Sequence, residues 1–126
     1  MGAGRVFTMH IYKLPLPPSL NRIWRAVNGG VKLSKDARAW NAKAAAALPT
    51  GRVVTLKGRL RVTIFVHGPL KLKAVAFDIG NREKILCDLL TKQRVWEDDS
   101  QIDELLIFRG ACEGQGFVVV QIEELT

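Results

Sequence analysis

Between Arg59 and His67 the chain alternates without a break, with Leu60, Val62, Ile64 and Val66 on one side and Arg61, Thr63, Phe65 and His67 on the other. Side chains two residues apart share a face of an extended strand, so this segment predicts a half-buried strand with one side against a core. From about Asn81 to Lys92 the period changes. Ile85 and Leu89, and likewise Leu86 and Leu90, recur at four residues and form one apolar stripe, as an amphipathic helix requires. Strand and helix patterns mixed along one chain predict an α+β fold, a small mixed sheet with flanking helices.

The remaining elements follow from local signals. Val6 to Leu14 is rich in β-branched and aromatic residues and reads as a first strand. Pro15, Pro17 and Pro18 then make an extended connector, because proline cannot donate to a central ladder. Asn28-Gly29-Gly30 marks a turn between short strand-like pieces at Ile23–Val27 and Val31–Leu33. Ser34 is a candidate N-cap for an alanine-rich helix through Leu48, stopped by Pro49-Thr50-Gly51. Leu70 to Phe77 reads as a short extended piece or a loop. Glu104–Arg109 and Gly116–Glu123 read as two strands joined by a glycine-rich turn, which predicts a C-terminal hairpin. Trp24 and Trp40 could stack on bases of a nucleic acid, but large aromatics are more often packed and both are expected in the core, with Trp96 as an anchor for the acidic loop that follows it.

At 126 residues, with neither repeat nor low-complexity linker, the chain reads as one domain over 1–126, with residues 1–8 expected to be disordered or foreign to it. No apolar run reaches the roughly 20 residues of a membrane helix, and no apolar signal-peptide core follows Met1, so a cytoplasmic protein is expected, with no membrane partner. Lys and Arg number 19 against 12 acids, a formal charge of +7 that favours a polyanionic partner. Cys87 and Cys112 form no CxxC pair, and His10 and His67 stand apart from any ligand spacing, so both thiols are expected reduced and no zinc site is expected. The absence of GxGxxG, P-loop and GxSxG patterns argues against a nucleotide cofactor and a serine hydrolase.

Chemistry concentrates in Asp78-Ile79-Gly80-Asn81-Arg82-Glu83-Lys84 and in Asp98-Asp99. Asp78 precedes the predicted helix. Lys84 lies inside it, opposite the apolar stripe, and shares its polar face with Asn81 and Asp88. Carboxylates converging from two segments suit Mg²⁺ or Mn²⁺, hard ions that take oxygen ligands and assist attack on a phosphate. The same residues also fit a plainer arrangement: Asp78 as a helix cap, Lys84 and Asp88 as a surface pair, Asp98-Asp99 as a solvated turn.

In this order the motifs resemble the RusA-type Holliday-junction resolvases. That family carries Pro-Pro-Ser-x-Asn near its start, matched by Pro17-Pro18-Ser19-Leu20-Asn21. It carries Asp-x-Asp-Asn-x-x-Lys, matched at Asp78, Asn81 and Lys84, and then Asp-Asp before a strand, matched by Asp98-Asp99. The resemblance implies a homodimeric endonuclease that nicks branched DNA, the four-way junction, using Mg²⁺ or Mn²⁺. It implies Asp78, Lys84 and Asp99 as catalytic residues and Asp78, Asp99 and the adjacent Asp98 as metal ligands. Arg22, Arg25, Lys32, Lys35, Lys71 and Lys73 are candidate phosphate contacts.

One position departs from the pattern. Gly80 stands where the family has its second aspartate and offers no side-chain oxygen. A neighbouring acid substitutes, water fills the ligand position, or the chain binds junctions without cutting them. Of the possible compensating acids, Glu83 lies roughly 100° around the helix from Lys84 and points elsewhere if the helix already runs at Asn81. Asp88 shares the face of Lys84 but lies a turn further from Asp78.

Overall fold

The computed structural model describes residues 8–19, 23–49, 54–72 and 78–125. The order of elements is β1 (Met9–Pro15), β2 (Trp24–Val27), β3 (Gly30–Leu33), α1 (Lys35–Ala47), β4 (Leu60–His67), α2 (Glu83–Lys92), β5 (Ile102–Arg109) and β6 (Phe117–Glu124). Strands β1, β6, β4 and β5 form one mixed sheet in that order, and β2 and β3 form a separate hairpin. The fold is α+β, as the alternation of periods predicts. No helix among the described residues is long and apolar enough to cross a membrane.

Strand β4 pairs antiparallel with β6 and parallel with β5. Its helix-side residues Leu60, Val62, Ile64 and Val66 are all at most 2% exposed, so the alternating pattern was read on the correct face. They join Val118, Val120 and Ile122 of β6, Ala37, Trp40 and Ala44 of α1, and Ile85, Leu86, Leu89 and Leu90 of α2 in one core. Both helices therefore cover the same side of the sheet. Ser34 caps α1 as expected, its hydroxyl accepting from Ala37 N at 3.1 Å. Trp40 is buried as expected, and its indole N–H donates to Pro15 O at 2.8 Å, tying the end of β1 to α1. Trp24 is not in the core: it is 56% exposed on the hairpin.

The expected C-terminal hairpin is absent, because β4 lies between β5 and β6. The connection at residues 110–116 bridges the end of β4 instead of turning tightly. Gly110 N donates to Val66 O and Glu113 N to Gly68 O, and the His67 ring meets Ala111 O at 2.8 Å. A Cβ at Gly110 would lie 2.2 Å from the His67 ring. That ring is also stacked on Phe117, so it has little room to withdraw. Gly110→Ala is expected to destabilise the protein by about 1–3 kcal/mol through overpacking. Denaturant unfolding checks this, and the cost should shrink in a His67→Ala background.

Candidate active site

The parallel pairing of β4 and β5 requires a crossover, and α2 supplies it. The helix begins later than its sequence pattern suggests. Asn81 takes a left-handed conformation, φ 64°, which asparagine tolerates but a helix does not. The first helical residue is Glu83, with Arg82 at the N-cap and no side-chain cap. Asp78 is thus not the helix cap. The late start also alters where Glu83 points. It lines a cleft of about 410 Å³ together with Lys84, Cys87 and Asp99, closed on the β5 side by Ile102 and Leu105.

Asp99 is held from below. Its Oδ1 accepts from the Trp96 indole N–H at 3.1 Å and from the Thr91 hydroxyl. The indole also donates to Thr91 Oγ1 at 2.6 Å. Trp96 is fully buried, so it fixes the acidic loop as expected and touches the carboxylate directly. Both contacts use Oδ1, which leaves the second oxygen of Asp99 for a ligand. Gln101 locks the loop from the other end. Its carbonyl accepts from Glu97 N and Asp98 N, and its amide donates to Leu56 O and Gly58 O. Such satisfied, buried networks preorganise a site. Gln101 completes a capping box with Asp98, a spacing that the sequence offers; Thr91 belongs to no motif, and only the fold shows what it does.

Asp98 has a different position. Its carboxylate caps the short 3-10 turn Asp99–Gln101, accepting from Ser100 N at 2.9 Å, and it does not line the cleft. Lys84 donates to Asp88 at 2.8 Å, the surface pair that the helix spacing allows. The hydrogen bond to Asp88 raises the Lys84 pKa, opposed by desolvation and helped to a lesser degree by the charges of Asp88 and Asp99. Lys84 therefore keeps its proton at neutral pH and acts as a fixed cation. Asp88, so engaged, lines a neighbouring cleft instead of the one holding Asp99. Burial pushes the Cys87 thiol up to about 12, and the nearby carboxylates push in the same direction. It is no nucleophile.

The structure brings Lys84 and Asp99 together and adds Glu83. Asp78 is exposed ahead of the helix and lies outside this cleft. Its charge acts on Arg82, whose guanidinium is lowered by burial and partly restored by Asp78. Arg82 reaches back to Pro17 O, linking the proline connector to the helix start. Among the described residues nothing crowds Gly80: a Cβ there would meet none of their atoms within 4 Å.

Among the described residues no three acids, histidines or cysteines form a ready-made metal cluster. Two carboxylates, Glu83 and Asp99, do line one cleft. That donor set suits Mg²⁺, which keeps several waters and needs only one or two carboxylates besides a substrate phosphate.

Of the candidate phosphate contacts, Arg25, Lys32, Lys35 and Lys71 are exposed, while Arg22 and Lys73 lie outside the described residues. Arg25 and Lys32 stand directly opposite each other in the β2–β3 hairpin. Like charges so placed are destabilising. Lys35, in the first turn of α1, opposes the helix dipole as well. These positions make sense next to a polyanion.

If the Thr91 hydroxyl orients Asp99, Thr91→Val should keep the fold and lower any activity of the site about 10- to 100-fold, the usual cost of losing a ligand-orienting partner. Trp96→Phe, which removes the N–H and keeps most of the ring, should act in the same direction. Activity measured alongside thermal unfolding separates this from a packing defect.

The profile of the family described as Endodeoxyribonuclease RusA matches residues 15–123. Among similar proteins is the crossover junction endodeoxyribonuclease of Enterobacteria phage HK97, 28% identical over 121 residues, covering 90% of this chain and 93% of the relative. Its counterpart from Enterobacteria phage 82 is 28% identical over 119 residues, covering 94% and 96%. That of Escherichia coli strain K12 is 26% identical over 113 residues, covering 89% and 92%. With the motifs in order, the α+β fold and a profile match over most of its length, the chain belongs to the RusA family of endodeoxyribonucleases.

Proposed function

We propose that this chain is a Holliday-junction resolvase, a divalent-metal-dependent endodeoxyribonuclease that nicks four-way DNA junctions in recombination and repair. The carrying observation is the cleft in which a carboxylate oriented by Trp96 and Thr91 shares its walls with a permanently charged lysine. Asp99 and Glu83 would hold Mg²⁺ or Mn²⁺, with Asp78, on the loop before α2, as a third carboxylate acting on the ion from outside the cleft. The ion supplies Lewis acidity at the scissile phosphate. Lys84 would neutralise charge developing on that phosphate, with Asp88 holding its ammonium group in place. Arg25, Lys32, Lys35 and Lys71, with Arg22 and Lys73, hold the junction arms in the cytoplasm of a bacterial or phage-infected cell. No nucleotide cofactor is needed.

Gly80 supports a second reading, a protein that binds junctions and cuts them poorly. A nicking assay on a synthetic four-way junction in Mg²⁺ or Mn²⁺ decides between the two. The resolvase reading expects cutting by the unaltered chain and a loss of about 100-fold or more in Asp99→Asn and Lys84→Ala. Glu83→Gln should weaken Mn²⁺ binding, measured directly by calorimetry. Gly80→Asp should leave thermal stability nearly unchanged, given the open space at that position, and raise Mn²⁺ affinity. Cutting by Gly80→Asp alone would favour the junction-binding reading.

A symmetric substrate calls for a symmetric enzyme, and the uncovered side of the sheet supports a homodimer. Across the four strands the register aligns Lys13, Val119, Phe65 and Phe108 in one row, and Ile11, Gln121, Thr63 and Leu106 in the next. Ile11 is 57% exposed and Phe108 46%. One end of this apolar band is acidic overall, with Arg61 between Glu104 and Glu123; Lys13 lies towards the other. Strand spacing and rise give the face an area on the order of 500 Å², so two copies bury close to the 1,000 Å² or so that a specific interface needs. A two-fold axis running from β1 towards β5 inverts the strands. It sets each Lys13 towards the acidic end of the other copy and places both clefts on one side of the dimer. Phe108→Glu should convert a dimer to a folded monomer, read by light scattering and circular dichroism; a monomeric unaltered chain at micromolar concentration would end this proposal.

A further inference from the structure

A second cleft, of about 280 Å³, adjoins the first across Lys84, between the β2–β3 hairpin and α2. Its apolar lining comes from Leu33, Ile85 and Leu89. One wall is the indole of Trp24. The other is the polar stripe Lys84, Asp88 and Lys92, spaced four residues apart on α2. An exposed tryptophan beside lysines is an awkward solvent surface but a good seat for a flat ring that carries a phosphate. From the catalytic reading above, on which this inference rests, the adjoining cleft holds the scissile phosphate.

We propose that this second cleft receives one unstacked nucleotide of the junction, next to the phosphate that is cut. Its base stacks on Trp24 over the apolar lining, and its phosphate lies towards Lys92. The base edge faces Asp88, and Asn41 of α1, which also lines the cleft, offers an amide with both donors and acceptors. At a four-way crossover the strands exchange between stacked arms, so a nucleotide there unstacks at lower cost than within a continuous duplex. Stacking on an aromatic platform contributes affinity to single-stranded segments without needing a particular base. Lys84 lines both clefts, so seating the base also settles the lysine beside the scissile phosphate.

Tryptophan fluorescence tests this directly, because Trp40 and Trp96 are 5% and 0% exposed and Trp24 is 56% exposed. The full chain is titrated with a synthetic four-way junction in EDTA, so that nothing is cut. Saturation should at least halve acrylamide quenching of the exposed indole, and a 2-aminopurine placed at the crossover should itself be quenched. Trp24→Ala should weaken junction binding about tenfold, the scale of one lost base–aromatic stack, with Trp24→Phe recovering most of it. A junction that binds and is cut in Mg²⁺ while Trp24 stays as accessible as in the free protein overturns this inference and leaves the nuclease reading standing. Shielding that follows protein concentration in the absence of DNA makes Trp24 a subunit contact and also overturns it. No mobility shift with any junction overturns both readings.

Discussion

The arrangement depends on the double pairing of β4. Its two edges are both occupied, by β6 running against it and β5 running with it. A parallel neighbour cannot be reached through a tight turn, so the chain must cross the sheet before forming β5. The crossing is α2, and its landing point is the short turn that carries Asp99. Lys84 therefore comes to face Asp99 as a consequence of strand direction. The same constraint sends residues 110–116 over the end of β4 and requires a glycine beside His67.

Two kinds of support then hold the site. Beneath it is a hydrogen-bonded base, the buried Trp96 with Thr91 under Asp99, and Gln101 locking the loop. Above it are exposed charges, with Lys84 and Asp88 paired on the helix surface. The buried part sets geometry, because rotating Asp99 would take away an acceptor that the Trp96 indole and the Thr91 hydroxyl share. The exposed part sets charge, and a solvated pair of this kind contributes little to stability. Its importance lies in holding the ammonium group at one place on the helix surface, since a lysine is protonated at neutral pH with or without the pair.

Much of this was legible before folding. Alternation located β4 and its buried face, the four-residue stripe located α2, and Ser34 with the following helix formers located α1. These signals are local and come from one element at a time. Sheet order was not legible, because two adjacent strands with a glycine-rich link look like a hairpin whether or not a third strand separates them. The first turn of α2 was misread for a different reason. Asn81 is an acceptable helix residue in a pattern, and only its left-handed backbone shows that the helix waits until Glu83. That shift placed Glu83 in the cleft and left Asp78 outside it. Trp24 was expected inside because large aromatics usually are, and its exposure depends on how far the hairpin stands from α2. Thr91 carried no signal at all, whereas Gln101 stands at capping-box spacing from Asp98, a signal of the turn and not of its reach to Leu56 and Gly58.

The sulfur beneath the cleft has a consequence for when such a protein can work. Cys87 is packed one turn from Lys84, with its thiol pushed up to about 12 by burial and by the surrounding carboxylates. Peroxides and electrophiles attack thiolates, and at that pKa almost none exists in a living cell. The cavity thus contains the atom that oxidants most readily modify, in a form they scarcely recognise. At 6% exposure Cys87 is a wall of the site that oxidants reach slowly, so the cleft keeps its shape under oxidising conditions.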